Sequence, residues 1–157
     1  MSKTIIIGLG NPVLSDDALG IKAATILRQR LLSDQRIEVI EAYTGGLNLM
    51  ELMEGYDRAI VVDAVTTGCH QPGTLVELSL NDLLASRNTT SSHDASLVVA
   101  LETGRMLGLK LPTAISFFGI ETLETGDFGE ELSAPVRHAL PLLVAEIMTI
   151  LNREVTA

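Results

Sequence analysis

The sequence opens with an unbroken, β-branched apolar run, Thr4 to Gly8, that ends in glycines. Such a run is typical of a strand that is buried on both faces, as the strands of a parallel sheet are. A polar loop, a helical pattern from Asp17 to Leu32 and a second strand pattern, Ile37–Ala42, follow it. Since parallel strands need a crossover connection, usually a helix, this opening unit favours an α/β fold.

The alternation of strand and helix patterns continues to the end of the chain. Further strands are expected at Arg58–Ala64, Thr74–Leu78 and Thr113–Glu121, and further helices at Leu47–Met53, His93–Leu107 and Val136–Leu151. We therefore expect a three-layer α/β/α fold, with a mostly parallel central sheet of about five strands and helices on both faces. Pro141 lies within the last helical pattern and is expected to kink or split that helix.

Length, composition and charge narrow the classes of protein that fit. A chain of 157 residues, 46% of them hydrophobic, suits a single domain over residues 1–157. The net charge of −9 and the lack of basic runs argue against nucleic acid as a partner. The single cysteine, Cys69, suits a reducing compartment, so a cytoplasmic location is expected. The best apolar candidate, Leu140 to Leu151, contains Pro141 and Glu146, so we expect no membrane-spanning segment.

The strand pattern also predicts where a site lies, because ligands of open α/β sheets bind at the carboxyl ends of the strands. The segments that leave the first three predicted strands are Gly8–Asp17, Tyr43–Gly46 and Asp63–Gly68. Candidate functional residues are therefore sought in these segments and at the starts of the helices.

Three residues at such junctions could carry chemistry together. Asp17 begins the first helix, Asp63 ends an otherwise apolar strand, and His93 opens the third predicted helix. Each alone has a structural explanation, as a helix cap, a hydrogen-bonded acid and a surface histidine. Together they supply two oxygen ligands and one nitrogen ligand, which suit a borderline divalent ion such as nickel or zinc. Three protein ligands also leave coordination positions open for a substrate group.

Two other interpretations of these segments fit less well. A dinucleotide-binding fingerprint needs a glycine where Val13 stands, and Asp16 and Asp17 would repel a pyrophosphate at the start of the helix. A thiol protease would need Cys69 and His70 to face each other, which neighbouring loop residues rarely do.

Several motifs follow one another along nearly the whole chain. They are Gly8-Leu9-Gly10-Asn11, Ser15-Asp16-Asp17 with Gly20, Asp63-Ala64, Pro72-Gly73-Thr74, Ser91-Ser92-His93, Phe118-Gly119-Ile120-Glu121, Phe128 and Leu132–Val136. In this order they resemble the hydrogenase maturation endopeptidase family. The resemblance implies an aspartic-type endopeptidase that removes the C-terminal extension of a nickel–iron hydrogenase large-subunit precursor. It also implies that Asp17, Asp63 and His93 are metal ligands and catalytic residues, and that the metal is nickel already inserted in the precursor.

The loop Tyr43–Gly46 gives a further expectation. Its two glycines permit unusual backbone angles and the close approach of another chain. We expect Thr44, Gly45 and Gly46 to line the groove for the precursor's C-terminal segment.

Two alternatives stay open at this point. A non-catalytic nickel-binding chaperone could use the same three ligands, and a tight metal site in the free protein would favour it. Peptidyl-tRNA hydrolases also begin with Gly-Leu-Gly-Asn-Pro, but they place a histidine soon after that motif, where this chain has Ser15 to Leu19. Binding tRNA would also need a basic face. The roles of Asp16 and Glu41 are left open as well.

Overall fold

The computed structural model describes residues 2–11, 15–43, 47–79, 92–123, 129 and 131–155, and gives the backbone alone for 47, 92–96 and 154–155. The strands are β1 Thr4–Leu9, β2 Ile37–Ala42, β3 Arg58–Val65, β4 Leu75–Ser79 and β5 Ala114–Glu121. The α-helices are α1 Leu19–Arg30, α2 Leu47–Met53, α3 Ser92–Met106 and α4 Ala134–Val155, and a 3-10 helix, Ser15–Ala18, precedes α1.

The described strands form one sheet in the order β2-β1-β3-β5-β4. Strand β4 runs antiparallel to β5, whereas the other neighbouring pairs are parallel. This confirms the predicted α/β fold with a mostly parallel sheet of five strands. Because β1 lies between β2 and β3, the segments that leave these three strands emerge at the same carboxyl edge of the sheet.

Helices cover both faces of the sheet, as predicted. Alternate residues of a strand point to opposite faces. On one face, Ile6 and Ile60 belong to a buried cluster with residues of α1 and α4. On the other face, Ile7 and Val61 belong to a second buried cluster with residues of α2 and α3. The central strands are therefore apolar along most of their length. Each large apolar side chain that is fully buried stabilises the folded state by roughly 1.5–3 kcal/mol.

Helix α4 differs from the expectation, because it continues through Pro141 as one helix of 22 residues. A proline removes the hydrogen bond to the carbonyl four residues earlier, which is that of Arg137. Both Pro141 and Arg137 are exposed, so water can satisfy this carbonyl and the helix need not break. The expectation that the proline splits the helix is therefore wrong.

The uninterrupted helix is also long and apolar enough, over Ala134–Arg153, to cross a membrane by length and composition alone. One side of it packs in the first buried cluster, through Val136, Ala139, Leu140, Leu143, Val144, Ile147 and Leu151. Helix α4 is therefore a core helix of the fold. The apolar segment is longer than the stretch Leu140 to Leu151 that the sequence pattern suggested, because the helix already begins at Ala134.

Helix α3 begins at the carboxyl edge of the sheet. Thr113, which follows α3, donates its N–H to the Asp57 carbonyl oxygen just before β3, at 3.2 Å. The chain after α3 has therefore returned to the amino edge. Gly55, which also precedes β3, donates its N–H to the Lys110 carbonyl oxygen at 2.9 Å, so the chain that leaves the end of α3 lies at the amino edge. The helix thus runs antiparallel to these strands, and its first turn lies at their carboxyl ends.

The first turn of α1 lies in backbone contact with β1 and β3. A Cβ atom on Gly20 would lie 2.2 Å from the Leu9 carbonyl oxygen and 2.4 Å from that of Val62. A Cβ atom on Gly8 would lie 2.1 Å from the Gly20 carbonyl oxygen. Since no side chain fits at either position, these glycines allow α1 and the preceding 3-10 helix to lie directly on the ends of the two strands.

We expect Gly20→Ala to lower the free energy of unfolding by roughly 3 kcal/mol or more, because the methyl group must displace backbone atoms of two strands. Gly129→Ala is the matched control, since a Cβ atom there would meet nothing within 4 Å. Urea unfolding of both variants checks this. Equal stability of the two variants would contradict the close contact of α1 with the sheet.

Candidate functional site

Asp17 lies in the 3-10 helix at the carboxyl edge of the sheet and is partly buried. Its carbonyl oxygen accepts a hydrogen bond from the Asn11 N–H at 3.1 Å. A Cβ atom on Gly10 would lie 2.0 Å from the same oxygen, so this contact requires a glycine. The 3-10 helix also packs against β3. The glycine motif after β1 thus holds the Asp17 backbone beside the ends of both strands.

The neighbouring acid, Asp16, has a structural role. Its side chain is buried, with 8% of the residue exposed. One carboxylate oxygen accepts a hydrogen bond from the Ser133 N–H and the other from the Ser133 hydroxyl, both at 2.7 Å. Because Ser133 directly precedes α4, Asp16 fastens the 3-10 helix to the start of the last helix. The role of Asp16, which the sequence left open, is therefore that of a structural anchor.

Ser15 adds two more bonds between the same segments. Its N–H donates to the Gly129 carbonyl oxygen at 2.7 Å, and its hydroxyl donates to that of Glu131 at 2.9 Å. The φ angle of Ser15 is 39°, in the left-handed region that a serine rarely adopts. The bonds from the segment before α4 therefore hold the chain on the amino side of Asp17 in a conformation that it would otherwise avoid.

Asp63 lies near the end of β3 and is 5% exposed. One of its carboxylate oxygens accepts a hydrogen bond from the Ala64 N–H at 2.8 Å. Its strand partner is Gly119 of β5, where a Cβ atom would lie 2.8 Å from the Asp63 carbonyl oxygen. Like Val61, Asp63 lies on the sheet face that α2 and α3 cover. An acid in this position is costly unless it is hydrogen-bonded or serves a site.

A small cavity adjoins Asp63, and its walls come from β3, β4 and β5. Besides Asp63, it is lined by Val61, Val65, Val76, Leu78, Phe117, Phe118 and Gly119. Among these described lining residues, Asp63 is the one with an ionisable side chain.

His93 is the second residue of α3, and its side chain lies outside the described part of the structure. The first turn of α3 lies at the carboxyl edge, on the sheet face of Asp63. Among the described side chains, which exclude that of His93, no three His, Cys, Asp or Glu residues form a group that could hold a metal ion. The convergence of Asp17, Asp63 and His93 therefore stays a prediction. The loop residues Thr44, Gly45 and Gly46 also lie outside the described residues.

Glu41, whose role was open, faces α1. Its carboxylate forms an ion pair with Arg28 at 3.4 Å and accepts a hydrogen bond from the Tyr43 hydroxyl at 3.1 Å. This hydrogen bond raises the pKa of Tyr43. A third contact joins the Thr25 hydroxyl to the same carboxylate at 3.4 Å. These partners give Glu41 a role in fixing the end of β2 against α1.

Sequence reasoning missed the separate importance of Glu121, the last residue of β5. It is 1% exposed, although it is an acid. Its carboxylate accepts hydrogen bonds from the Thr67 N–H, at 2.8 Å, and from the Thr67 hydroxyl. The signal was present in the sequence, because Glu121 ends an apolar central strand just as Asp63 does.

We expect Asp16→Ala to lower the free energy of unfolding by about 1.5–3 kcal/mol, because two charge-assisted hydrogen bonds are lost. Ser133→Ala should cost about 1 kcal/mol, since the bond from its N–H remains. The double variant should be less destabilised than the sum of the two, by at least about 0.5 kcal/mol. Urea unfolding measures all three, with the exposed Ser33→Ala as the control. Additive losses would contradict the direct bond.

Comparisons with known proteins identify the family of the chain. The family model described as hydrogenase maturation protease matches residues 21–150. The chain is 29% identical over 125 residues to the hydrogenase 2 maturation protease of Escherichia coli K12, covering 78% of this chain and 76% of that protein. It is 24% identical over 152 residues to the hydrogenase expression/formation protein HupD of Rhizobium leguminosarum, covering 96% and 74%.

Solved structures show the same fold. The hydrogenase maturating endopeptidase HybD from Escherichia coli superposes with a TM-score of 0.84 at 24% identity, covering 97% of this chain and 93% of that one. The nickel–iron hydrogenase maturation protease HybD from Thermococcus kodakarensis superposes with a TM-score of 0.74 at 25% identity, covering 94% and 98%. Since the family model spans residues 21–150 of the 157, the chain belongs to the hydrogenase maturation protease family.

Proposed function

We propose that the protein is the endopeptidase that removes the C-terminal extension of a nickel-loaded large-subunit precursor of a nickel–iron hydrogenase. Membership of the family gives the class of activity. The observation that carries the proposal is the buried Asp63 carboxylate at the carboxyl end of a central strand, next to the 3-10 helix that bears Asp17. The first turn of α3, with His93, lies at the same edge.

The donor set fits a divalent ion. Two carboxylates and one imidazole suit nickel or zinc and leave coordination positions open. Asp63 is held in place by the Ala64 N–H, and Asp17 by the backbone contact of Gly10. The 3-10 helix that bears Asp17 packs against β3, which bears Asp63, so a cation shared by the two carboxylates would relieve the repulsion of their charges.

Nickel belongs to the substrate in this proposal. When bound in the precursor, it would supply a positive charge that the three ligands recognise, so that only a loaded precursor places its tail at the site. Without this ion, Asp17 and Asp63 would have no cation to share, and the precursor would bind weakly.

A groove for the precursor's tail, a protein partner and a cytoplasmic location complete the proposal. Thr44, Gly45 and Gly46 come soon after β2 in the sequence and are proposed to line the groove for the precursor's tail. The acidic balance of the chain and its lack of basic runs agree with a protein partner and not with nucleic acid. The single cysteine agrees with a cytoplasmic location. Family membership favours the protease over a non-catalytic nickel carrier.

The proposal is tested by incubating the protein with nickel-loaded and nickel-free precursor and determining the C-terminal mass of each product. The wild-type protein should shorten the loaded precursor alone. His93→Ala and Asp63→Asn should slow the reaction roughly 100-fold or more, because the first removes a ligand and the second removes the negative charge of one. His138→Ala and Asp34→Asn make the same chemical changes away from the edge and should process at the normal rate.

The outcomes separate the parts of the proposal. Equal cleavage of nickel-free precursor would contradict the role of nickel in recognition. Normal cleavage by folded His93→Ala would remove His93 from the site. A wild-type protein that binds nickel tightly by itself and never shortens the precursor would instead support the nickel carrier.

A further inference from the structure

The Glu121 carboxylate is the centre of a small buried network at the carboxyl edge. It accepts the Thr67 N–H at 2.8 Å and the Thr67 hydroxyl. The oxygen of this hydroxyl in turn accepts the Cys69 N–H at 3.1 Å. The Thr67 hydroxyl thus donates to the Glu121 carboxylate and accepts from the Cys69 N–H. The turn from Thr67 to Cys69 therefore depends on a side chain at position 121 that accepts hydrogen bonds from both the N–H and the hydroxyl of Thr67. A carboxylate, which carries only acceptors, is suited to this task.

The backbone of Glu121 holds the other end of the same connection. The Gly73 N–H donates to the Glu121 carbonyl oxygen at 2.8 Å, and the Glu121 N–H donates to the Thr74 carbonyl oxygen at 2.9 Å. One residue thus fixes both the departure from β3 and the approach to β4. We call residues 66–74 the β3–β4 connection.

The position of this connection relates it to the site. Val65, the last residue of β3, is the strand partner of Glu121, and Asp63 lies two residues before it. The middle of the connection is exposed, at Gly68, Cys69 and His70. Because the connection begins directly after Val65, it leaves the sheet at the same edge as the Asp63 carboxylate. A segment that is fixed at both ends also loses little conformational entropy when a partner binds it.

We propose that Glu121 is a positioning residue, which holds the β3–β4 connection as a rigid surface on which the precursor's C-terminal tail docks. This inference rests on the proposed function, since the tail is the occupant. The connection supplies exposed backbone and small polar side chains beside Asp63, which fit an extended polypeptide.

Thr67→Val tests the inference, because valine keeps the shape of threonine and removes the hydroxyl. The Glu121 carboxylate then loses one of its bonds, and the Cys69 N–H loses its acceptor. We expect the KM for loaded precursor and the Kd for its binding to rise about tenfold, with kcat unchanged within about twofold. Thr67→Ser should restore the wild-type values. Thr103→Val is the matched control, since it removes an exposed hydroxyl of α3 that donates to the Val99 carbonyl.

Amide hydrogen exchange supplies a second readout. Exchange at Cys69 should become faster in Thr67→Val and return to the wild-type rate in Thr67→Ser. Faster exchange with unchanged KM and Kd would overturn the docking role, and so would a loss of kcat alone. A third outcome is that the wild-type protein binds the loaded precursor but never cuts it, and that Thr67→Val weakens this binding. That outcome would overturn the proposed function and support the docking surface. Absence of both binding and cleavage would overturn both.

Discussion

The backbone contact between the first turn of α1 and the ends of β1 and β3 sets the geometry of everything at the carboxyl edge. At Gly20 and Gly8, the backbones approach so closely that even a methyl group has no room. This contact fixes the height of α1 above the sheet. It thereby fixes the 3-10 helix that carries Asp17, because only one residue separates this helix from the second residue of α1. A looser contact would move Asp17 away from the end of β3.

Buried acids complete the same edge in two other places. Asp16 binds the segment before α4, and Glu121 binds the β3–β4 connection. Each of these carboxylates accepts hydrogen bonds from backbone and hydroxyl groups of a segment that is distant in sequence. Removing such a carboxylate leaves buried donors without acceptors. These hydrogen bonds therefore favour one arrangement of the connections over others. These connections are thus held in place before any substrate arrives, and such preorganisation is what positions a substrate for reaction.

The fold could be predicted from local pattern because both faces of the central strands are covered. The apolar runs that begin at Thr4 and Arg58 predict strands that are buried on both sides. The helix between the first two strands predicts that these two strands are parallel. Pro141 led to the expectation of a split helix, because the sequence alone does not show whether the carbonyl of Arg137, which loses its hydrogen bond, is exposed to water. For the acids, sequence alone could not decide which of Asp16 and Asp17 is a structural anchor. That choice depends on Ser133, a tertiary partner more than a hundred positions away. The importance of Glu121 depends on Thr67 in the same manner.

We propose that Asp17, Asp63 and His93 converge on one divalent ion at this edge. Crystals soaked with nickel or cadmium test this convergence, because anomalous scattering locates the ion independently of the protein atoms. We expect one strong peak at the carboxyl ends of β1 and β3, with a carboxylate oxygen of Asp17, one of Asp63 and a ring nitrogen of His93 within about 2.0–2.4 Å of it. A peak bound by other residues, or a His93 side chain directed away from Asp17 and Asp63, would contradict it.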